Sequence, residues 1–160
     1  MALDAATLAL TAAELKTTLD DAKIAKLFEP TRDELVITLR TRTETDCLLL
    51  SARSGSARVC LTEESFENPE TPPSFCMLMR KHLTGGRLLD VRMEPGDRIV
   101  YFEFQCTNEM GDLVRNILCA ELMGRYSNLV LVQNGKIIDA LKRVDFEDSD
   151  VRQLLPGLPY

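Results

Sequence analysis

NLVLVQNGKIIDAL, residues 128–141, is the stretch on which the fold turns. Two apolar runs flank Asn134-Gly135, and an Asn-Gly pair in that setting predicts a type I′ hairpin turn between two strands. The segment before it repeats the pattern. EPGDRIVYFEF, residues 94–104, opens with Pro-Gly-Asp, a turn, and continues as alternating large apolar residues, a strand. RLLDVRMEP (87–95) and DRIVYFEFQC (97–106) therefore read as a hairpin around Pro95-Gly96. Val100, Phe102, Phe104 and Cys106 share one parity and face a core. Arg98 has the same parity but lies at the strand's end, where it can reach over the core rim. Asp97 falls on the other parity, with Tyr101 and Glu103. NILCAELM (116–123) reads as a strand, although its composition also allows a helix. MGRYSN (123–128) reads as a loop with Arg125 exposed.

The N-terminal half gives the same class. AATLALTAAELKTTL (5–19) is a predicted helix, with Leu8, Ala12, Leu15 and Leu19 at three- and four-residue steps. KIAKLFE (23–29) is a short strand closed by Pro30. DELVITLRTR (33–42) alternates, with Leu35, Ile37 and Leu39 inward and Glu34, Thr38, Arg40 and Arg42 outward. DCLLLSA (46–52) is apolar on both parities, as a central strand is, and SARVCLT (56–62) is another strand. ESFENPETPP is a loop that ends at Ser74, a predicted N-cap, and FCMLMRKHL (75–83) is a helix stopped by Gly85-Gly86. Lys81 and His82 in its last turn suit the helix dipole. DSDVRQLLPGLPY starts a short helix and breaks at Pro156-Gly157. The predicted fold is α+β: a mostly antiparallel β-sandwich or partial barrel with flanking helices.

Composition narrows the function classes. A chain of 160 residues fits one domain with a sizeable core. Hydrophobic residues make up 45% and charged residues 28%, ordinary for a soluble globular protein. No run approaches the ~18 apolar residues of a membrane span, and the N-terminus has no basic region of a signal peptide, so a cytoplasmic protein with no membrane partner is expected. The five cysteines are widely spaced without C-x-x-C, which reads as reduced, buried thiols. The net charge of −6 argues against a non-specific nucleic-acid binder. Thirteen of the nineteen bases are Arg, however, so a local Arg-lined patch suited to phosphate remains open, as does plain solvation of strand faces.

Catalytic chemistry is sparse. There is no G-x-S-x-G, P-loop or G-x-G-x-x-G. His82 is the single histidine; it reads as a helix-end residue, and six residues from Cys76 it points about 120° away from it on a helix. No metal site, cofactor or small-molecule substrate is expected, and the adjacent acids Asp20-Asp21 and Glu63-Glu64 read as solvated.

Seven strings resemble the N-terminal domain of the NFACT, or fibronectin-binding protein A, family: LLLSA, ARVCLTEE, ENPETPPSFCMLMRKHLTGGR, GDRI, MGRYSNLVLV, NGKIIDALKRV and RQLLPGLPY. They follow family order from about residue 14 to residue 160. The resemblance implies a fold similar to the N-terminal domain of formamidopyrimidine-DNA glycosylases. It implies a ribosome quality-control factor that binds a large ribosomal subunit obstructed by peptidyl-tRNA. Such a factor recruits alanyl-tRNA and supports template-free alanine tailing of the stalled chain. Family members continue into a helix-hairpin-helix region, a coiled coil and an RNA-binding C-terminal module, so residues 1–160 read as one N-terminal domain of a longer protein.

In the family, the dipeptide matching Asp97-Arg98 is linked to tRNA recruitment. The reading beside it is a turn cap at Asp97 and an ion pair at Arg98. Arg125 is the second tRNA-binding candidate, in a loop with Gly124, Tyr126 for stacking, and Ser127 and Asn128 as donors; a solvated Arg in a connecting loop is the alternative. Those glycosylases act through an N-terminal Pro followed by Glu. Here Met1 is followed by Ala2-Leu3, so no glycosylase activity is expected and the domain reads as non-enzymatic. A degenerate glycosylase-like nucleic-acid-binding domain and a fibronectin-binding module, which would need surface display, are the alternatives.

Overall fold

The computed structural model describes residues 4–94, 96–149 and 151–160. Met1, Ala2 and Leu3, Pro95 of the turn, and Asp150 lie outside the described residues. Among the described residues the elements are, in chain order, α1 (Ala5–Thr18), β1 (Lys23–Thr31), β2 (Glu34–Arg40), β3 (Thr45–Ser51), β4 (Arg58–Thr62), α2 (Ser74–Leu83), β5 (Arg87–Met93), β6 (Ile99–Thr107), β7 (Leu113–Glu121), β8 (Asn128–Gln133) and β9 (Lys136–Ala140), with a 3-10 turn at Gly124–Tyr126.

The diagnostic hairpin forms as read. Asn134 and Gly135 adopt φ of 53° and 76°, both positive as a type I′ turn requires, and Gln133 pairs with Lys136 across it. Residues 116–123, open between strand and helix on composition, lie mostly in β7. The β5–β6 hairpin brings Met93 opposite Val100.

All strand pairs are antiparallel, in the order β4-β3-β2-β1-β5-β6-β7-β8-β9. The class is α+β, as read. The expected sandwich or partial barrel is instead, by hydrogen bonding, one open sheet. Its two parts meet at a narrow seam where Lys23 pairs with Arg87, helped by Ile24 N–H to Gly86 O at 2.8 Å and Leu88 N–H to Ala22 O at 2.9 Å. The sheet bends over a shared core: beyond β9, Lys142 Nζ donates to Ala52 O just past β3, at 2.7 Å. That core joins Leu8 and Leu15 of α1, Met79 and Leu83 of α2, Ile37 and Leu48 of one part, and Phe102, Phe104 and Leu118 of the other. Val100, Phe102, Phe104 and Cys106 are all buried, as their shared parity predicts. A smaller cluster of Cys119, Val130, Val132, Ile137, Ala140 and Leu154 holds the C-terminal tail.

Several local readings are corrected. β1 does not stop before Pro30 but runs through it, at a register shift between Phe28 and Thr31, where a missing ladder N–H is tolerated. Glu34 is buried rather than outward; Thr31 Oγ1 donates to its carboxylate at 3.0 Å and Arg53 pairs with it at 3.5 Å. The N-cap of α2 is Pro73, without a side-chain cap, and Ser74 is the first helical residue. The described part of residues 148–160 is not helical; it is tied down by bridges Val144–Leu154 and Lys136–Pro159. Of the five cysteines, all free, Cys76, Cys106 and Cys119 are buried while Cys47 and Cys60 are half-buried.

Candidate nucleic-acid interface

The antiparallel connections decide which residues share an end of the sheet. The turn before β6 and the turn after β7 are neighbours, because Leu122 N–H donates to Arg98 O at 2.9 Å and Ile99 pairs with Glu121. Asp97 is exposed and its N–H donates to Glu94 O at 3.3 Å. Arg98 is half-buried at the start of β6. Arg125 lies three residues beyond Leu122, so the structure places all three candidates at one end.

Arg125 and Tyr126 are both exposed. The guanidinium lies 4.9 Å from the ring centroid, and Nη2 donates to Tyr126 Oη at 2.8 Å. This cation–π pair presents a flat face and a charge together. Ser127 and Asn128 do not join them as donors. Both are buried. Ser127 Oγ donates to Gly124 O and accepts from Met123 N–H, while Asn128 Nδ2 donates to Lys142 O and its Oδ1 accepts from Lys142 N–H. They build the turn rather than reach outward.

Beneath this rim lies an arrangement that sequence reasoning missed. Glu121, fully buried at the end of β7, accepts from Arg152 Nη1 at 3.1 Å, Arg152 Nη2 at 2.6 Å and Tyr160 Oη at 2.6 Å. Arg152 also stacks 5.3 Å from the centroid of the Tyr160 ring. The one available signal was a carboxylate inside the apolar run ILCAEL; its partners lie 31 and 39 residues away, beyond any local pattern. Arg143, paired with buried Asp139 at 3.0 Å, was also missed.

Burial keeps the thiol and phenol nearest this end in their neutral forms at neutral pH. Burial pushes the Cys119 thiol up to about 12. Burial, reinforced by the hydrogen bond to Glu94 at 2.9 Å, pushes Tyr101 up to about 12. Burial also raises Cys76 and Cys106, away from the thiolate that a nucleophile needs. Among the described residues no group of three or more His, Cys, Asp or Glu is placed to hold a metal ion, and no helix is long and apolar enough to cross a membrane.

The family described as NFACT N-terminal and middle domains matches residues 4–160. The chain belongs to the NFACT family. Among NFACT relatives, it is 39% identical over 150 residues to the Rqc2 homolog RqcH of Streptococcus suis, covering 92% of this chain and 27% of that protein. It is 36% identical over 149 residues to Rqc2 homolog RqcH of Bacillus subtilis, covering 92% of this chain and 26% of that one. The chain thus spans about a quarter of the length of these NFACT relatives. In structure it is similar to the N-terminal domain of fibronectin-binding protein PavA from Streptococcus pneumoniae, with a TM-score of 0.89 at 37% identity over 93% of this chain and 57% of that one. With the N-terminal part of the fibronectin/fibrinogen-binding protein of Streptococcus suis the TM-score is 0.90 at 38% identity, over 96% of this chain and 59% of the other.

Proposed function

We propose that this chain is a non-catalytic tRNA-binding and adaptor domain of a cytoplasmic ribosome quality-control factor. In this reading the whole protein binds a large ribosomal subunit obstructed by peptidyl-tRNA and recruits alanyl-tRNA for template-free alanine tailing, the ribosome supplying peptidyl transfer. The observation that carries it is the placement of Asp97, Arg98 and the Arg125–Tyr126 pair at one end of the sheet, in a chain 39% identical to a protein named RqcH. An acidic domain needs such a local cluster to meet phosphate, and an exposed Arg on an aromatic ring suits an unstacked base. The likeness to glycosylase N-terminal domains belongs to the family resemblance and is part of this proposal.

The test is tRNA binding by this chain across a salt series. Binding should be weak and fall steeply with salt, as phosphate contacts do. Asp97→Ala with Arg98→Ala should lower affinity by roughly tenfold, the loss of one or two charge-assisted contacts, with the melting temperature nearly unchanged. In the full-length protein the same pair should abolish alanine tailing while the factor still cosediments with the large subunit. Normal tRNA content in a well-folded double variant would move the site elsewhere, with Arg125 next. A second reading, protein binding, is favoured by the names of the solved relatives. Saturable binding of fibronectin, untouched by the double variant and without tRNA affinity, would select it.

A further inference from the structure

A cavity of about 240 Å³ opens at the other end of β6, between the last turn of α2, the β6–β7 turn and the end of β8. β6 has nine residues, which at ~3.3 Å each sets it roughly 30 Å from Arg98. Its floor is Asn116, 1% exposed, whose Nδ2 donates to His82 O at 2.9 Å and whose Oδ1 accepts from Gln133 Nε2 at 2.8 Å. This anchors the end of Gln133 that donates and leaves its carbonyl without a hydrogen bond among the described residues. The His82 ring and the Thr107 hydroxyl, also lining the cavity, make none either. Burial, with Lys81 adding to it, holds His82 below the ordinary histidine value, so at neutral pH it offers one donor and one acceptor.

The remaining lining is mixed: Asn108, whose Oδ1 accepts from the Met110 and Asp112 N–H groups, and two apolar side chains. Val114 lines one side, and Met110, 86% exposed, stands at the opening. Lys81 and Glu109 pair at 3.3 Å across the mouth, both largely exposed. Such a pair is weak, and Lys81 can exchange it for a phosphate.

We propose that this cavity binds a single nucleobase, with its edge hydrogen-bonded to His82, Gln133 and Thr107 and its attached phosphate at Lys81. The volume lies below the roughly 300–1,000 Å³ of pockets for larger ligands, which suits one ring system. Mixed donors and acceptors on the edges match a base, and a methionine sulfur packs well against an aromatic ring. The base can come from a free nucleotide or from a single-stranded RNA.

The test is backbone-amide NMR of this chain with AMP, GMP, CMP and UMP, and ribose 5-phosphate as control. At least one nucleotide should shift His82, Asn116 and Gln133 saturably, with a Kd on the order of 1 mM. Ribose 5-phosphate should not. Gln133→Ala and His82→Ala should each weaken binding about tenfold, His82→Ala with unchanged melting and Gln133→Ala with a modest drop because it strands the buried Asn116 Oδ1, and Asp97→Ala with Arg98→Ala should leave it intact, which separates this site from the tRNA reading. Tetraribonucleotides binding about tenfold or more tighter than the mononucleotide assign the site to splayed RNA bases; equal affinity assigns it to free nucleotides. Equal shifts with ribose 5-phosphate, no saturable shift at the cavity, or parental binding by both well-folded variants overturns it.

Discussion

Glu29 illustrates what one residue contributes. It is 6% exposed on β1, against Pro69, Pro72 and Pro73 of the loop before α2, and its Oε1 has no hydrogen-bond partner. Burial pushes Glu29 up to about 7, from an ordinary 4.5, and the nearby backbone of Cys76 in α2 offsets this only in part. A folded-state value above the unfolded one means the group favours folding below about 4.5 and loses that contribution as pH rises through about 7. The loss is about 3 kcal/mol. Glu29→Gln keeps the shape of the side chain without the charge. Urea melts should show the variant close to the parent at pH 4.5 and more stable at pH 8; identical slopes with pH in both proteins would show that Glu29 is not the titrating group.

At the scale of the element, one buried carboxylate joins Arg152 and Tyr160 of the tail to β7, beside the bridges at Leu154 and Pro159. Removing one partner from a buried pair leaves the other charged and desolvated. Arg152→Ala should therefore destabilise by about 3 kcal/mol, the low end for such pairs because the Arg152 side chain is itself 46% exposed. Adding Glu121→Gln should recover most of it, since a neutral amide still accepts from Tyr160. Chemical unfolding of both variants decides this, and a single variant as stable as the parent would mean that water replaces the guanidinium. This element also marks the limit of local reading. The β8–β9 hairpin was legible because Asn134-Gly135 carries its own backbone requirement, and α1 because Leu8, Ala12 and Leu15 recur on one face. The mouth position of Asp97 and Arg98 is legible from the Pro-Gly-Asp turn signal ahead of the alternating run, and parity adds only which face each takes. Local pattern starts a helix in the tail because the tail's anchors, Glu121 and the bridge to Lys136, are far off in sequence; strand alternation turns Glu34 outward because its partners Thr31 and Arg53 lie outside the strand.

For the whole molecule the decisive place is the seam. Sequence alternation identifies strands and faces but says nothing of which strand neighbours which, so one open sheet could not be told from two packed ones. The join rests on Gly86, where α2 hands over to β5. A Cβ there would lie 2.7 Å from Cys106 Sγ and 2.9 Å from Leu83 O. Gly86→Ala should cost about 1–3 kcal/mol by overpacking. Cys106→Ala in the same chain should restore only part, because the Leu83 carbonyl belongs to the backbone. Thermal melts of the single and double variants measure both, and a neutral Gly86→Ala would show that the seam yields.

The two outer strands of the sheet are not equally guarded. β4 has five residues and ends in open solvent near Glu63 and Glu64, a short, charged border. β9 is covered: Ile137 N–H donates to Leu158 O, Gly157 N–H to Ile137 O and Tyr160 N–H to Gly135 O. Gly157 to Tyr160 thus act as insulation over the outer edge of β9, which would otherwise template strand addition by another molecule. Replacing Gly157 to Tyr160 by a flexible linker of equal length would disturb no described helix or strand, yet it would open one border of the sheet to strand addition.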